Sequence, residues 1–277
     1  MRFRVLGPVE VEADGRILPV SRRRERCLLA ILLLEQDRMV PIERLCELLW
    51  EGHPPDSARR SVQSHVARLR GMLNTDSTRT EVRLTGTPTG YRLQAEPELI
   101  DAHVFRSLVA RARPTGDPAN RCDLLERALK LWRGPALHNA GGDWLRARIC
   151  ADLDGMRLTA TEDWLSARLE LGQHGDLVPE IARAISAYPT NERLAELLMR
   201  TLYQNGRRTD ALAAYTRIRI QLAEEWGIDP SARLRELDQA IRREEPATPE
   251  EPVARRTATA GRGHGRAGSA STDGASR

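Results

Sequence analysis

Lysine is almost missing from this sequence: of its 43 basic residues, only Lys130 is not an arginine. A GC-rich genome would give the same bias, so the number of arginines argues little by itself. Nucleic-acid binding has to be read from where they stand. Aromatic side chains are also scarce, at 4% of the chain against 40% hydrophobic and 30% charged residues. That composition fits a soluble helical protein packed through aliphatic side chains. Cys27, Cys46, Cys122 and Cys150 stand far apart with no CxxC pair. This excludes a disulfide framework or a structural zinc ribbon and points to a reduced, cytoplasmic protein. No run of about 18 apolar residues occurs, and the opening MRFRVLGPVEVEADG has no apolar h-region, so no membrane partner is expected. The six histidines never stand at ligand spacing with cysteine or acid, so no metal is expected. Phosphate-loop, dinucleotide and nucleophile-elbow motifs are missing too, so the reading is of a non-enzyme with no catalytic residue and no cofactor.

What is present is organised around DSARRSVQSHVARLRGML, residues 56–73. On a helical wheel Ala58, Val62, His65, Val66, Leu69, Met72 and Leu73 share one side, and Arg60, Gln63, Ser64, Ala67 and Gly71 share the other. Arg59 and Arg70 flank that second face on one edge and Arg68 on the other. No acid occurs between Ala58 and Leu73. Short polar side chains on an outward face can approach base edges, while guanidinium groups on its rims reach phosphates. A basic helix in an arginine-rich chain is also consistent with a merely solvated surface, so its neighbours decide.

Residues 2–20 alternate like strands, with a hairpin expected at Asp14 and Gly15. Ser21 is the expected cap of a helix over RRRERCLLAILLLEQ, apolar on nearly all sides from Cys27 to Leu34 and therefore buried. Arg22, Arg23, Arg24 and Arg26 crowd its first turns, where the helix dipole disfavours cations by roughly 0.3–1 kcal/mol each. Either a bound phosphate offsets that cost, or the arginines point into water or pair with Glu25. A second helix follows Pro41, and the proline-stiffened link EGHPPDSA leads to the central helix, with Asp56 or Ser57 as cap. After the polar stretch NTDSTRTE, Val82, Leu84, Tyr91 and Leu93 surround a Gly and Pro turn, which reads as a β-hairpin.

Sheet, three helices and terminal hairpin, in that order, describe a winged helix. The segment resembles the DNA-binding domain of OmpR-type response regulators, and more closely that of the Streptomyces antibiotic regulatory protein (SARP) family. The residues that carry the resemblance are RERCLLAILLLEQDRMVPIERLCELLW, PPDSA, SVQSHVARLRGML and PTGYRL.

Beyond it, residues 101–113 and 121–137 read as a helical pair ending in LeuTrpArgGlyProAla. Two further segments, from Thr159 to Pro189 and from Glu192 to Ile218, repeat one another. Gly172 and Gly206 stand 34 residues apart, the period of tetratricopeptide helix pairs. In the second unit Leu198, Leu202, Gly206, Ala211 and Tyr215 follow that spacing, and Pro189 closes the first. The runs LWRGPAL, LMRTLYQNGRRTDALAAYTRIR and LAEEWGIDPSARLRELDQAI resemble the bacterial transcriptional activation domain. Trp132, Trp144, Trp164 and Trp226 are expected in the core.

The expected architecture is therefore mainly α with a little β. Residues 1–96 form an OmpR-type winged helix, 97–245 a tetratricopeptide-like helical domain, and 246–277 a Pro-, Gly- and Ser-rich disordered tail. The basic surplus sits at the ends: 16 basic against 13 acidic residues in the first segment, 22 against 23 in the second, and 5 against 3 in the third.

The resemblance implies an activator that binds double-stranded DNA at direct repeats near the −35 region, with protomers side by side. It would recruit RNA polymerase with its sigma factor and switch on a secondary-metabolite (antibiotic) biosynthetic gene cluster, working in the cytoplasm at the nucleoid. Arg60, Gln63, Ser64 and Ala67 would face the major groove, with Arg60 suited to guanine and Gln63 to adenine. Arg59, Arg68 and Arg70 would reach phosphates. The loop Glu51, Gly52, His53, Pro54 and Pro55 is the candidate polymerase contact. The wing would lie along the minor groove with Thr87 and Arg92 as candidate contacts. The family commonly has an arginine where Thr87 stands, so groove anchoring would pass to Arg83 or Arg92 if the hairpin register turns one outward. A repressor using the same helix, and a helical-repeat scaffold that ignores DNA, are the competing readings.

Overall fold

The computed structural model describes residues 1–73 and 82–243. The polar stretch at 74–81 and the tail read as disordered both lie outside the described residues. Strands β1 (Arg2–Arg4), β2 (Glu10–Ala13) and β3 (Arg16–Leu18) form an antiparallel sheet in the order β1-β2-β3. Its hairpin turns at Asp14 and Gly15, with φ of 50° and 73°. Two consecutive left-handed residues suit the twist of the flanking strands.

Helix α1 (Arg23–Leu34) buries Cys27 to Leu33 without a break, as its apolar run requires. Its N-cap is Arg22, with no side-chain capping bond, and not Ser21. A two-residue strand, β4 (Val40–Pro41), leads into α2 (Ile42–Leu49), and α3 (Ala58–Leu73) follows the loop. The hairpin β5 (Arg83–Thr87) and β6 (Gly90–Gln94) takes β4 on its other edge, in the order β4-β6-β5. Short β4 carried no alternation to betray it; its pairing with Tyr91 and Gly90 exists only once the hairpin folds back.

The helical part comprises α4 (Asp101–Ala112), α5 (Pro118–Leu129), α6 (Asp143–Ile149), α7 (Ala151–Glu170), α8 (Leu177–Ala187), α9 (Glu192–Gln204), α10 (Arg208–Trp226) and α11 (Ala232–Arg243). Gly172 and Gly206 occupy equivalent left-handed turns after α7 and α9, with φ of 74° and 73°. There a glycine carries no Cβ penalty, which explains its recurrence at the repeat period. Helix α5 is capped by Asp117, which accepts from the amides of Ala119 and Asn120, and it ends at Leu129. The expected helix to residue 137 is therefore too long.

LeuTrpArgGlyProAla instead leaves the helix and straps the N-terminal sheet. The amide of Arg133 donates to the Leu6 carbonyl at 2.8 Å and that of Leu137 to the Val5 carbonyl at 3.2 Å. The Arg133 side chain reaches Pro8 O and Glu10. From α4, Asp101 accepts the amides of Val5 and Leu6 at 2.8 and 3.1 Å, and Asn139 Oδ1 accepts that of Val9 at 2.8 Å.

Buried packing follows these bonds. One hydrophobic core runs from Phe3 through the winged helix to Ala160, and a second from Leu165 to Ile241. Packing is thus continuous across residues 96 and 97, and the change of core falls within α7. Trp132 is buried, edge-on to Phe105 at 5.4 Å. Trp144 and Trp164 are half-buried. Trp226 departs from expectation: at the end of α10 it is 63% exposed, because the chain turns away at Gly227 before any element covers it.

Candidate nucleic-acid interface

Helix α3 holds its outward face by burying the opposite one. Ala58, Val62, His65, Val66, Leu69 and Leu73 are buried against α1 and α2. Arg60, Gln63, Ser64, Ala67 and Gly71 are exposed, as the wheel predicts. Arg60 and Gln63 make no hydrogen bond or ion pair among the described residues, so their polar ends are available to an external partner. The face is narrow and its centre is small at Ser64 and Ala67, which allows close approach of a groove floor.

The rim arginines are placed differently from one another. Arg59 pairs with Glu43 on α2 and stays 59% exposed. Arg68 Nη1 lies 3.0 Å from Glu25 on α1. Arg70 is half-buried: its Nε donates to the Leu84 carbonyl at 2.9 Å, and its guanidinium lies 6.0 Å from the Tyr91 ring centroid. Arg70 thus ties the reader helix to both strands of the wing. Gly86 is needed beneath this arrangement, because a Cβ there would lie 2.6 Å from Tyr91 and 3.0 Å from Arg70 Nη2.

Glu25 is the acid that organises the inner edge. It is buried, and Arg68, His65 Nδ1 (3.5 Å) and Arg22 Nε (3.8 Å) all converge on its Oε1. Burial holds the His65 pKa below its ordinary value even though Glu25 draws it upward. Its position in sequence marks Glu25 only as a partner for the arginines beside it. A single acid on the inner side of an arginine-rich first turn was the available signal, and its link to α3 required the fold.

In the wing, Leu84 and Leu93 point inward, so Arg83 turns outward and is exposed. Arg92 is 38% exposed and lies 3.9 Å from Asp37, with its Nε buried and without a hydrogen-bond partner. Thr87 is exposed, its hydroxyl 2.9 Å from that of Thr89. In the loop before α3, Glu51 and Gly52 have φ of 53° and 89°. Glu51 is engaged by Arg23 at 3.2 Å and by the Gly142 amide at 3.3 Å. Gly52, His53, Pro54 and Pro55 are exposed. The loop is therefore fastened both to the start of α1 and to the helical part.

The cysteines offer no chemistry here. Cys27, Cys46 and Cys150 are buried and Cys122 half-buried, and burial pushes the thiols of Cys27 and Cys150 up to about 12. No group of three or more metal-ligating side chains occurs among the described residues, and no described helix is long and apolar enough to cross a membrane.

Residues 20–93 match the model of the C-terminal domain of transcriptional regulatory proteins, and residues 100–242 that of the bacterial transcriptional activator domain. The chain belongs to the SARP family of transcriptional activators. Among its relatives, the transcriptional regulator RedD of Streptomyces coelicolor is 35% identical over 89% of this chain and 71% of RedD. The regulatory protein AfsR of the same organism is 37% identical over 90% of this chain, which spans only 25% of AfsR. The solved structure of Mycobacterium tuberculosis EmbR in complex with a low affinity phosphopeptide aligns with a TM-score of 0.79 at 30% identity. It covers 89% of this chain and 66% of EmbR. RedD and EmbR are named as transcriptional regulators and AfsR as a regulatory protein, and the winged helix followed by a helical activator domain is the architecture of this chain.

Proposed function

We propose that this SARP-family regulator is a sequence-specific DNA-binding activator, residues 1–96 acting as the DNA module and 97–245 as the helical module. The observation that carries the reading is the exposed, uncommitted face of α3 at Arg60, Gln63, Ser64 and Ala67, backed by buried apolar residues on the same helix. In this reading Gln63 makes a bidentate contact to adenine and Arg60 to guanine. Arg59 and Arg68 exchange their carboxylate partners for phosphates, and Arg83 and Thr87 line the wing's approach to the minor groove. Protomers sit side by side on direct repeats near the −35 region, as the family resemblance implies. Gly52 to Pro55 meet RNA polymerase and its sigma factor, with a secondary-metabolite gene cluster as target.

Selection of bound sequences from a random duplex pool tests the facing assignment. Gln63→Ala is expected to relax the preference at one base position and leave the others. An unchanged selected sequence would show that Gln63 does not face the bases. A promoter fusion separates activation from repression: reporter output falls on deletion of the gene if the protein activates, and rises if it represses.

A further inference from the structure

The arginines that crowd the start of α1 are left over from the DNA reading, and they line a cavity. A cleft of about 530 Å³ opens between the first turn of α1, the end of α2 and the turn into α6. Arg22, Arg23, Arg24, Trp50, His65 and Gly141 are among its walls, with one carboxylate, Glu51, beside Arg23. Its volume lies within the range of roughly 300–1,000 Å³ typical of small-molecule sites. Three features favour an anion there. Arg22 and Arg23 remain 61% and 60% exposed despite their contacts with Glu25 and Glu51. Arg24 is steadied by the Trp50 ring, with its guanidinium carbon 4.8 Å from the centroid. The 12-residue helix they begin has no side-chain cap, so its positive end adds to the same field. The nine-tenths-buried His65 closes the inner wall, its Nδ1 facing Glu25 and Arg68.

We propose that this cleft binds a small phosphate-bearing molecule, held by Arg22, Arg23 and Arg24. A duplex does not enter it, because the turn at Gly141 walls off one side. Burial keeps the lining Cys27 as a thiol. The position gives occupancy a route to regulation. The cleft joins the reader module to the helical module through Arg23, Glu51 and the Gly142 amide, and His65 belongs to the reader helix itself. A phosphate that draws Arg23 away from Glu51 loosens that join.

Isothermal titration of the full chain with inorganic pyrophosphate and with adenosine diphosphate tests the proposal without DNA. One saturable site per chain is expected. Equal affinities identify the phosphate group as the whole determinant, and tighter diphosphate-ester binding identifies an organic phosphate; either supports the site. The double variant Arg23→Gln/Arg24→Gln should bind at least about tenfold more weakly while still unfolding cooperatively, its melting temperature lowered by no more than about 5 °C for the lost Glu51 and Trp50 contacts. Glu51→Gln removes the competing carboxylate and should bind more tightly, a gain that misfolding cannot mimic. Three results overturn the proposal: no heat with either probe at millimolar concentration, wild-type binding by the double variant, or full displacement of the probe by a random-sequence duplex. The last would make the patch part of the DNA surface.

Discussion

Replacing Arg70 with glutamine separates two roles for one side chain. Read from the wheel, Arg70 is a rim cation that reaches a phosphate. In the fold its Nε donates to the Leu84 carbonyl at 2.9 Å and its guanidinium lies over Tyr91. A hydrogen bond from a charged donor contributes roughly 1.5–3 kcal/mol, and a partly exposed cation–π contact about 0.5–1 kcal/mol. Because the side chain is only half-buried, solvent screening lowers the sum, and a loss of about 1.5–2.5 kcal/mol is expected. At about 2–4 °C per kcal/mol for a chain of this size, the melting temperature should fall by about 3–10 °C. Hydrogen exchange should quicken first at the amides of β5 and β6, since the perturbation opens the wing before the whole core. DNA affinity measured against salt gives the opposing signature. If Arg70 were a phosphate contact alone, the log–log slope would drop by about 0.9 with stability unchanged. That pair of results would refute the structural assignment.

Asp101→Ala should cost about 2–4 kcal/mol in urea unfolding, because it leaves the buried amides of Val5 and Leu6 without their acceptor. Asp101→Asn, which keeps an acceptor oxygen, should lose less. Acidification should weaken the fold as pH drops below about 6.5. His65 and His103 both have folded pKa values held down, chiefly by burial. The unfolded chain therefore takes up protons first, and stability rises with pH through the interval up to the unfolded value. Thermal melts between pH 5 and 7.5 check this, and a double His65→Gln/His103→Gln variant should show a flatter profile. An equally steep profile in that variant would locate the effect elsewhere.

Much of the candidate interface was legible because a 3.6-residue period projects directly onto burial. Every residue assigned to the outer face of α3 is exposed, and the apolar side is buried apart from Met72, which is half-buried. The hairpin at Asp14 and Gly15 and the paired turns at Gly172 and Gly206 could be read for a different reason: each needs a left-handed backbone that few residues adopt. Partner choice was not legible in the same way. Arg59, Arg68 and Arg70 look alike in sequence, yet Glu43, Glu25 and Leu84 O engage them from three different elements.

The sequence by itself determined most elements of the winged helix, the faces of α3 and the family, because these depend on local period, turn chemistry and short runs such as PTGYRL. Tertiary structure alone decided how the halves are joined. LeuTrpArgGlyProAla looked like the end of a helix and is a strap on the first sheet, since the amides of Arg133 and of Leu137 just after it find their acceptors at Leu6 and Val5. Trp226 looked like core and is exposed, since nothing in its local pattern says whether a later element will cover it. The arginines of α1 gained a cleft only when Trp50 from the end of α2 and Gly141 from the helical part came beside them. Long-range contacts of this kind are set by which surfaces pack together, a property of the whole fold that no single stretch of chain encodes.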